Sequence, residues 1–469
     1  MSFVSPEFGL LCVLFFPLYW ALAGQTSQQK SLLIVSGYAL YASWVPEFAL
    51  LLAVYSTVVW WLGAMMQFEF RQRRVVRWPM VLGLWLCGSF LVLLKYYEFV
   101  RATCQTLLMK LGMASVLPAV DVVAPVGVSF FTFQAVTYLV WVGRAPHKAR
   151  SWSDVMLFLS FWPTLFAGPI LRAESFFAQE DSDQPGQPRQ VSRALYWIGL
   201  GLFQKMVLAS WLAEKVVDPV FKWPEQFAGG SVAAAMLGYS LQIFLDFGGY
   251  TLIVSGLALL LGYTLPVNFR QPYLALNVQD FWTRWHVSLS SFIRDYIYIP
   301  LGGNRDGWAR TQVNVVLGML ISGLWHGASW TFVVWGLLHG LAVVAYNLGK
   351  ALGLDAWPRW LAIPCTFLFV TLAWVFFRAE SLDQALLVLS RLLDDMPQEG
   401  LAAVPWWPLG LLCTVFWGLS FWAELVEQWV VATLDRVGLW VTMATMVVWM
   451  FVVIALGPEG VPGFIYYRF

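Results

Sequence analysis

The sequence predicts an all-α, polytopic membrane protein, on the strength of its composition and of a string of apolar runs. Of 469 residues, 59% are hydrophobic and 12% charged, whereas an ordinary soluble domain carries about 25% charged residues. Single soluble cores stop growing near roughly 250–300 residues. A chain this apolar therefore needs a bilayer as solvent for its excess. The apolar runs recur along the whole sequence, and several reach the roughly 20 residues that cross a hydrocarbon core as a helix.

In order, the predicted spans are 8–23, 31–45, 47–66, 79–96, 122–142, 154–171, 193–213, 231–247, 250–265, 311–326, 328–348, 360–377, 405–423 and 437–456. Several are short or interrupted by Gly and Pro, so some are expected to be re-entrant, leaving about 11–13 true crossings by the length rule. The first run is read as a retained span. Glu7 precedes it and no basic residue does, whereas a signal peptide wants a basic n-region. The basic cluster Arg71, Arg73, Arg74 and Arg77 is expected on the cytoplasmic side, and Arg144, His147, Lys148 and Arg150 form a second basic loop. The 378–399 loop, with Glu380, Asp383, Asp394, Asp395 and Glu399, is expected outside, as is the N-terminus. Residues 179–192 alone have linker character, so the chain reads as a single integral membrane domain, 1–469. Interfacial anchoring and packing account for the 28 tryptophans.

Composition excludes several functions. Net charge is +1 and no basic stripe suggests nucleic acid. Cys12, Cys87, Cys104, Cys365 and Cys413 are scattered with no C-x-x-C pair, which points to neither a disulfide framework nor a zinc site. His326 and His339 stand 13 residues apart, which on one helix would turn them to separate faces. No metal site is expected. Phosphate-loop and nucleophile-elbow patterns are absent.

Three regions break the apolar rule. Asp246 is the only charged residue from Ser231 to Val267. A carboxylate in such a stretch pairs with a cation or faces a water-filled cavity. It reads either as a cavity-lining, positioning residue or as a structural carboxylate paired with Arg284 or Arg294, and the adjacent Gly248-Gly249 can break the helix. The run Asn277–Arg310 is too polar to span. In it Phe281, Trp282, Trp285 and Leu289 make an apolar stripe beside Asp280, Arg284 and His286, as an interfacial amphipathic helix would. It ends at a tight turn, Pro300-Leu301-Gly302-Gly303-Asn304-Arg305. Such a helix can wall a site for a charged donor head group, or simply anchor the chain. The third is His326, between Trp325 and Gly327 in a stretch without formal charge from Arg310 to Lys350. A neutral imidazole there is a competent general base near pH 7. Its plainer reading is a hydrogen-bonded core histidine.

The segment Asp280–Arg305, D-F-W-x-R-W-H-x-S-L-S-x-F-x-R-D-Y-x-Y-I-P-L-G-G-N-R, resembles the hallmark of the membrane-bound O-acyltransferase (MBOAT) family. So do G-L-W-H-G-A-S-W at Gly323–Trp330, W-G-x-L-H-G at Trp335–Gly340, P-V-G-V-S-F-F-T-F-Q at Pro125–Gln134, F-A-G-P-I-L-R at Phe166–Arg172, D-F-G-G-Y at Asp246–Tyr250 and the tail Phe464-Ile465-Tyr466-Tyr467. The motif core runs over roughly 125–347, and the chain is most similar to the bacterial alginate and cellulose O-acetylation branch. The resemblance implies a ring of tilted spanning and re-entrant helices around a central tunnel. It implies His326 as the catalytic histidine and His286 as a second functional position. Departures occur at Trp141, Thr251, Leu252 and Gln271, and they favour a polymer other than alginate.

The expected activity is O-acetylation of a secreted polysaccharide, cellulose or alginate, at the bacterial inner membrane. Acetyl-CoA is the expected donor and no bound cofactor is expected. His326 is the expected general base. Asp246, Arg284, Trp285, Arg294, Asp295, Asn304 and Trp325 are expected to bind or position substrate. Expected partners are a periplasmic acetyltransferase and a polysaccharide synthesis and secretion complex. The alternatives are transfer of another acyl group, such as D-alanine to teichoic acid, and a non-enzymatic transporter or scaffold.

Overall fold

The computed structural model describes residues 3–74, 76–113, 118–119, 124–182, 188, 190–393 and 403–458. Among them every regular element is helical, because inside a bilayer only internal hydrogen bonding satisfies the backbone. Eight helical stretches among the described residues are long and apolar enough to cross a membrane: Pro46–Arg71, Trp78–Lys110, Val191–Lys222, Gly229–Leu260, Trp330–Ala351, Arg359–Arg378, Trp406–Val437 and Leu439–Leu456. Fewer stretches meet this criterion than the expected crossings, because several predicted spans form helices that are short or more polar. Pro6–Ala21, Thr26–Ala42, Val128–Arg144 and Trp308–His326 are of this kind.

The expected break at Gly248-Gly249 is absent. Gly229–Leu260 is one helix, about 48 Å long at the usual rise, against a hydrocarbon core of about 30 Å. Its apolar window is 83% buried, whereas that of Trp406–Val437 is 6% buried. Protein surrounds the first, and the second is left largely uncovered by protein. Gly249 serves close approach instead of a kink. A Cβ there would lie 2.8 Å from Gly201 O, and one on Gly201 would lie 2.4 Å from Gly249 O.

Polar residues set the helix ends. Ser151 and Asp154 form a reciprocal capping box. Asn277 Oδ1 accepts from Asp280 N–H at 2.8 Å, and Ser329 Oγ accepts from Thr331 N–H at 3.3 Å. The expected outer loop contains a further helix, Leu382–Leu392, capped by Ser381. Asp394, Asp395, Glu399, the aromatic tail and residues 183–187 and 189 of the predicted linker lie outside the described residues.

The chain clusters into two units, Met1–Val191 with Leu257–Pro266, and Ser192–Gly256 with Val267–Phe469. Within the first, two motif stretches meet. Gly127 has φ +81°, and a Cβ on it would lie 2.2 Å from Leu165 O, so only glycine fits. The second unit holds both histidines singled out above.

Candidate active site

Two glycine-lined helices build the wall around His326. Trp308–His326 ends at the histidine itself, Gly327 is extended, and Trp330–Ala351 returns against it. The backbones touch closely: a Cβ on Gly323 would lie 2.3 Å from Phe332 O, and one on Gly336 would lie 2.5 Å from Met319 O. Those glycines admit a neighbouring backbone. The turn also corrects the histidine spacing argument. His326 and His339 sit on different helices, with ring centroids 5.2 Å and 4.9 Å from Trp335. Their sequence separation therefore does not turn them apart.

His326 is 2% exposed. Trp325, Trp335 and Phe377 meet its ring edge to face at 4.9, 5.2 and 5.0 Å, and the ring of His286 lies 6.5 Å away. The cage is aromatic on several sides and carries a second imidazole on one.

His286 reaches this cage through a corrected local structure. The expected single amphipathic helix is two short ones, Val278–Arg284 and Val287–Ile293, followed by a π-helical turn at Arg294–Tyr298. The chain bends between them because His286 adopts φ +43°, a left-handed conformation that costs a non-glycine residue about 1–2 kcal/mol. The bend puts His286 at 0% exposure, with Phe247 at 4.7 Å and Trp325 at 5.7 Å. Burial pushes the imidazole pKa down to about 3, so the neutral ring is the form present near neutrality. Phe281, Trp285 and Leu289 are buried, so the predicted stripe faces protein.

Asp246 pairs with a residue the sequence reading passed over. Its carboxylate meets Lys205 Nζ, which is 3% exposed, and not Arg284 or Arg294, the partners named in one of its two readings. Arg284 instead pairs with Asp280 at 2.8 Å, and Arg294 with Asp295 at 2.7 Å. Lys205 lies on a π-helical turn, Phe203–Ala209, a local widening common at functional sites. The available signal was a lone lysine inside a predicted span, which implies a buried counter-charge.

Of the predicted site residues, His286, His326, Trp285 and Trp325 gather in one aromatic cluster, with Trp285 5.0 Å from Trp374 and Trp374 stacked 5.6 Å from Trp335. Asp246 adjoins it through Phe247. The structure does not bring Arg294 into that burial, since its side chain is 63% exposed. Asn304 is exposed in the turn. That turn is real: Gly302 and Gly303 have φ +107° and +59°, and Asn314 Nδ2 donates to Gly303 O at 3.0 Å. Among the described residues no group of three or more His, Cys, Asp and Glu is placed to hold a metal ion.

Comparison with known proteins adds to this geometry. Residues 142–382 match the profile described as the membrane-bound O-acyltransferase family. The chain is 34% identical over 382 residues to a probable alginate O-acetylase of Pseudomonas putida, covering 79% of this chain and 76% of that one. It is 34% identical over 390 residues to a peptidoglycan O-acetyltransferase of Helicobacter pylori, covering 77% and 73%. A teichoic acid D-alanyltransferase of Streptococcus thermophilus is 27% identical over 325 residues, covering 66% and 72%.

Proposed function

We propose, for a chain that belongs to the membrane-bound O-acyltransferase family and is therefore a multi-pass O-acyltransferase, that it moves acetyl groups from acetyl-CoA at the cytoplasmic face for O-acetylation of an exported polysaccharide. The observation that carries this reading is the pair of buried imidazoles, His326 and His286, 6.5 Å apart in one aromatic cage.

His326 takes the proton of an acceptor hydroxyl. The hydroxyl oxygen attacks the thioester carbonyl, the C–S bond breaks, and the leaving thiolate recovers the proton from the imidazolium. General-base assistance of this kind contributes typically about 10²–10⁴-fold, and holding two substrates in line supplies more. The Lys205–Asp246 pair fixes the helix that carries Phe247 against His286. Both imidazoles are buried, so reaction requires a passage opening among the surrounding aromatic side chains. A central tunnel meeting the cage is part of the proposal.

The acceptor is alginate, cellulose or a similar polymer, reached directly or through a periplasmic acetyltransferase, with the chain in the cytoplasmic membrane beside a polysaccharide synthesis and secretion complex. The name of the Pseudomonas relative favours alginate, and the departures at Trp141, Thr251, Leu252 and Gln271 favour cellulose.

The deciding experiment compares His326→Ala with the unaltered protein at matched membrane levels, measuring base-labile acetate on secreted polymer. Loss of acetate supports the reading. Full acetylation by the variant would end it. D-alanyl transfer is the second reading, motivated by the Streptococcus relative. Ester-linked D-alanine in place of acetate would establish it.

A further inference from the structure

The His286 bend is clamped from outside its own helix. Val287 N–H donates to Asn268 O at 2.9 Å, and Arg270 N–H to Arg284 O at 2.9 Å. Between these bonds lies the side chain of Asn268, 1% exposed. Its Oδ1 faces three groups: the backbone N–H of Ser288 at 3.3 Å, Ser288 Oγ at 2.8 Å and His286 Nδ1 at 3.0 Å.

Chemistry fixes the hydrogens. A backbone N–H only donates, so the amide atom facing Ser288 N–H is the oxygen. Turning the amide over would set its NH₂ against that N–H, donor to donor. Ser288 Oγ lies 3.4 Å from His286 Nδ1 but 2.8 Å from Asn268 Oδ1, so its one hydrogen serves the nearer oxygen. An amide oxygen only accepts, and the 3.0 Å contact between Nδ1 and Oδ1 then needs a hydrogen on Nδ1. In a neutral imidazole with Nδ1–H, Nε2 holds a lone pair. The 6.5 Å between the ring centroids of His286 and His326 exceeds what a direct hydrogen bond between ring nitrogens allows, and leaves space for a bridging group.

We propose that Asn268 is a positioning residue that locks His286 in the Nδ1–H tautomer, so that its Nε2 accepts a hydrogen bond from the reacting groups and donates none to them. His286 then receives a proton-bearing group of the reaction and leaves the proton abstraction to His326. This rests on the acyl-transfer reading above for its role, but the tautomer itself does not.

The lock has an electrostatic signature. Asn268→Asp keeps an acceptor for Ser288 and for Nδ1, yet sets a carboxylate beside the ring and favours imidazolium, which occupies Nε2 with a proton. Other titratable or charged groups near His286 are His326 on the Trp308–His326 helix and, next to Phe247 on the Gly229–Leu260 helix, Asp246 with its partner Lys205. None of them is altered in this variant.

The test has two arms. In the first, acetyl transfer from acetyl-CoA by membranes bearing Asn268→Asp is followed against pH. The expected result is an acid limb missing from the unaltered protein, with transfer falling on the order of tenfold per pH unit below the raised His286 value and recovering as pH rises. A variant profile parallel to the unaltered one overturns the proposal. In the second, the full chain with ¹⁵N-labelled histidine in detergent is studied by long-range ¹H–¹⁵N correlation, with His286→Gln assigning the signal. The Nδ1–H pattern for His286 supports the proposal and the Nε2–H pattern overturns it. This arm needs neither substrate nor the folding of Asn268→Asp. If the NMR result holds while His326→Ala leaves acetylation intact, the lock stands and the acyl-transfer role falls.

Discussion

Lys205 and Asp246, 41 residues apart in sequence, close an ion pair in which the lysine side chain is 3% exposed and the aspartate 12%. A buried charge stripped of its partner is expensive, whereas replacing both partners by well-packed apolar groups is often neutral.

Lys205→Met or Asp246→Leu alone is therefore expected to destabilise the protein by about 3–5 kcal/mol. The double variant should recover most of that loss. Thermal unfolding in detergent measures all three. A double variant no more stable than either single would show that the pair is not what the two residues contribute.

The helix pair at His326 depends on absent side chains. Gly336→Ala would set a Cβ 2.5 Å from Met319 O and 3.2 Å from Leu320 Cα. The helices must then separate, shifting Trp335 on His326, and acetylation should fall on the order of tenfold or more, given how sharply rate depends on positioning. Gly349→Ala, on the same helix with nothing within 4 Å of its Cβ, should gain up to about 1 kcal/mol from helix propensity alone. Comparing acetylation and melting temperature of the two separates packing from propensity.

Backbone conformation at His286 separates stability from activity. Because φ is +43° there, His286→Gly should be about 1 kcal/mol more stable than His286→Ala. Both remove the imidazole, so both should lose acetyl transfer. An active His286→Gly protein would take His286 out of the site.

Arg150 grips Asp181 with two hydrogen bonds, and this holds the Asp181 carboxyl below its ordinary value. A depressed carboxyl pKa contributes stability above the unfolded value, near about 3.9, and the contribution disappears as pH falls through the folded one. Asp181 is 57% exposed, so screening limits its worth to no more than about 1 kcal/mol. Asp181→Asn should therefore melt slightly below the unaltered protein at pH 7, with the difference shrinking as pH falls through the depressed value of the folded carboxyl. A gap that grows on acidification would reverse the assignment.

The sequence by itself determined what depends on local pattern. Apolar run length marked the membrane class, Asn277 and Ser329 stand where helices begin, and Gly302-Gly303 stand where the chain turns. The lone polar residues, Asp246 and His326, stood out because ionisable groups are costly in apolar surroundings. Tertiary structure alone decided their partners. Lys205 finds Asp246 across 41 residues, and Asn268 finds His286 across 18. His339 comes to share Trp335 with His326 because Gly327 breaks one helix and Gly323 and Gly336 let the next lie against it. Periodicity reports which face of a segment is apolar. It carries no record of which distant segment covers that face, and hydrogen bonds, ion pairs and ring contacts across segments are settled only when the backbones pack.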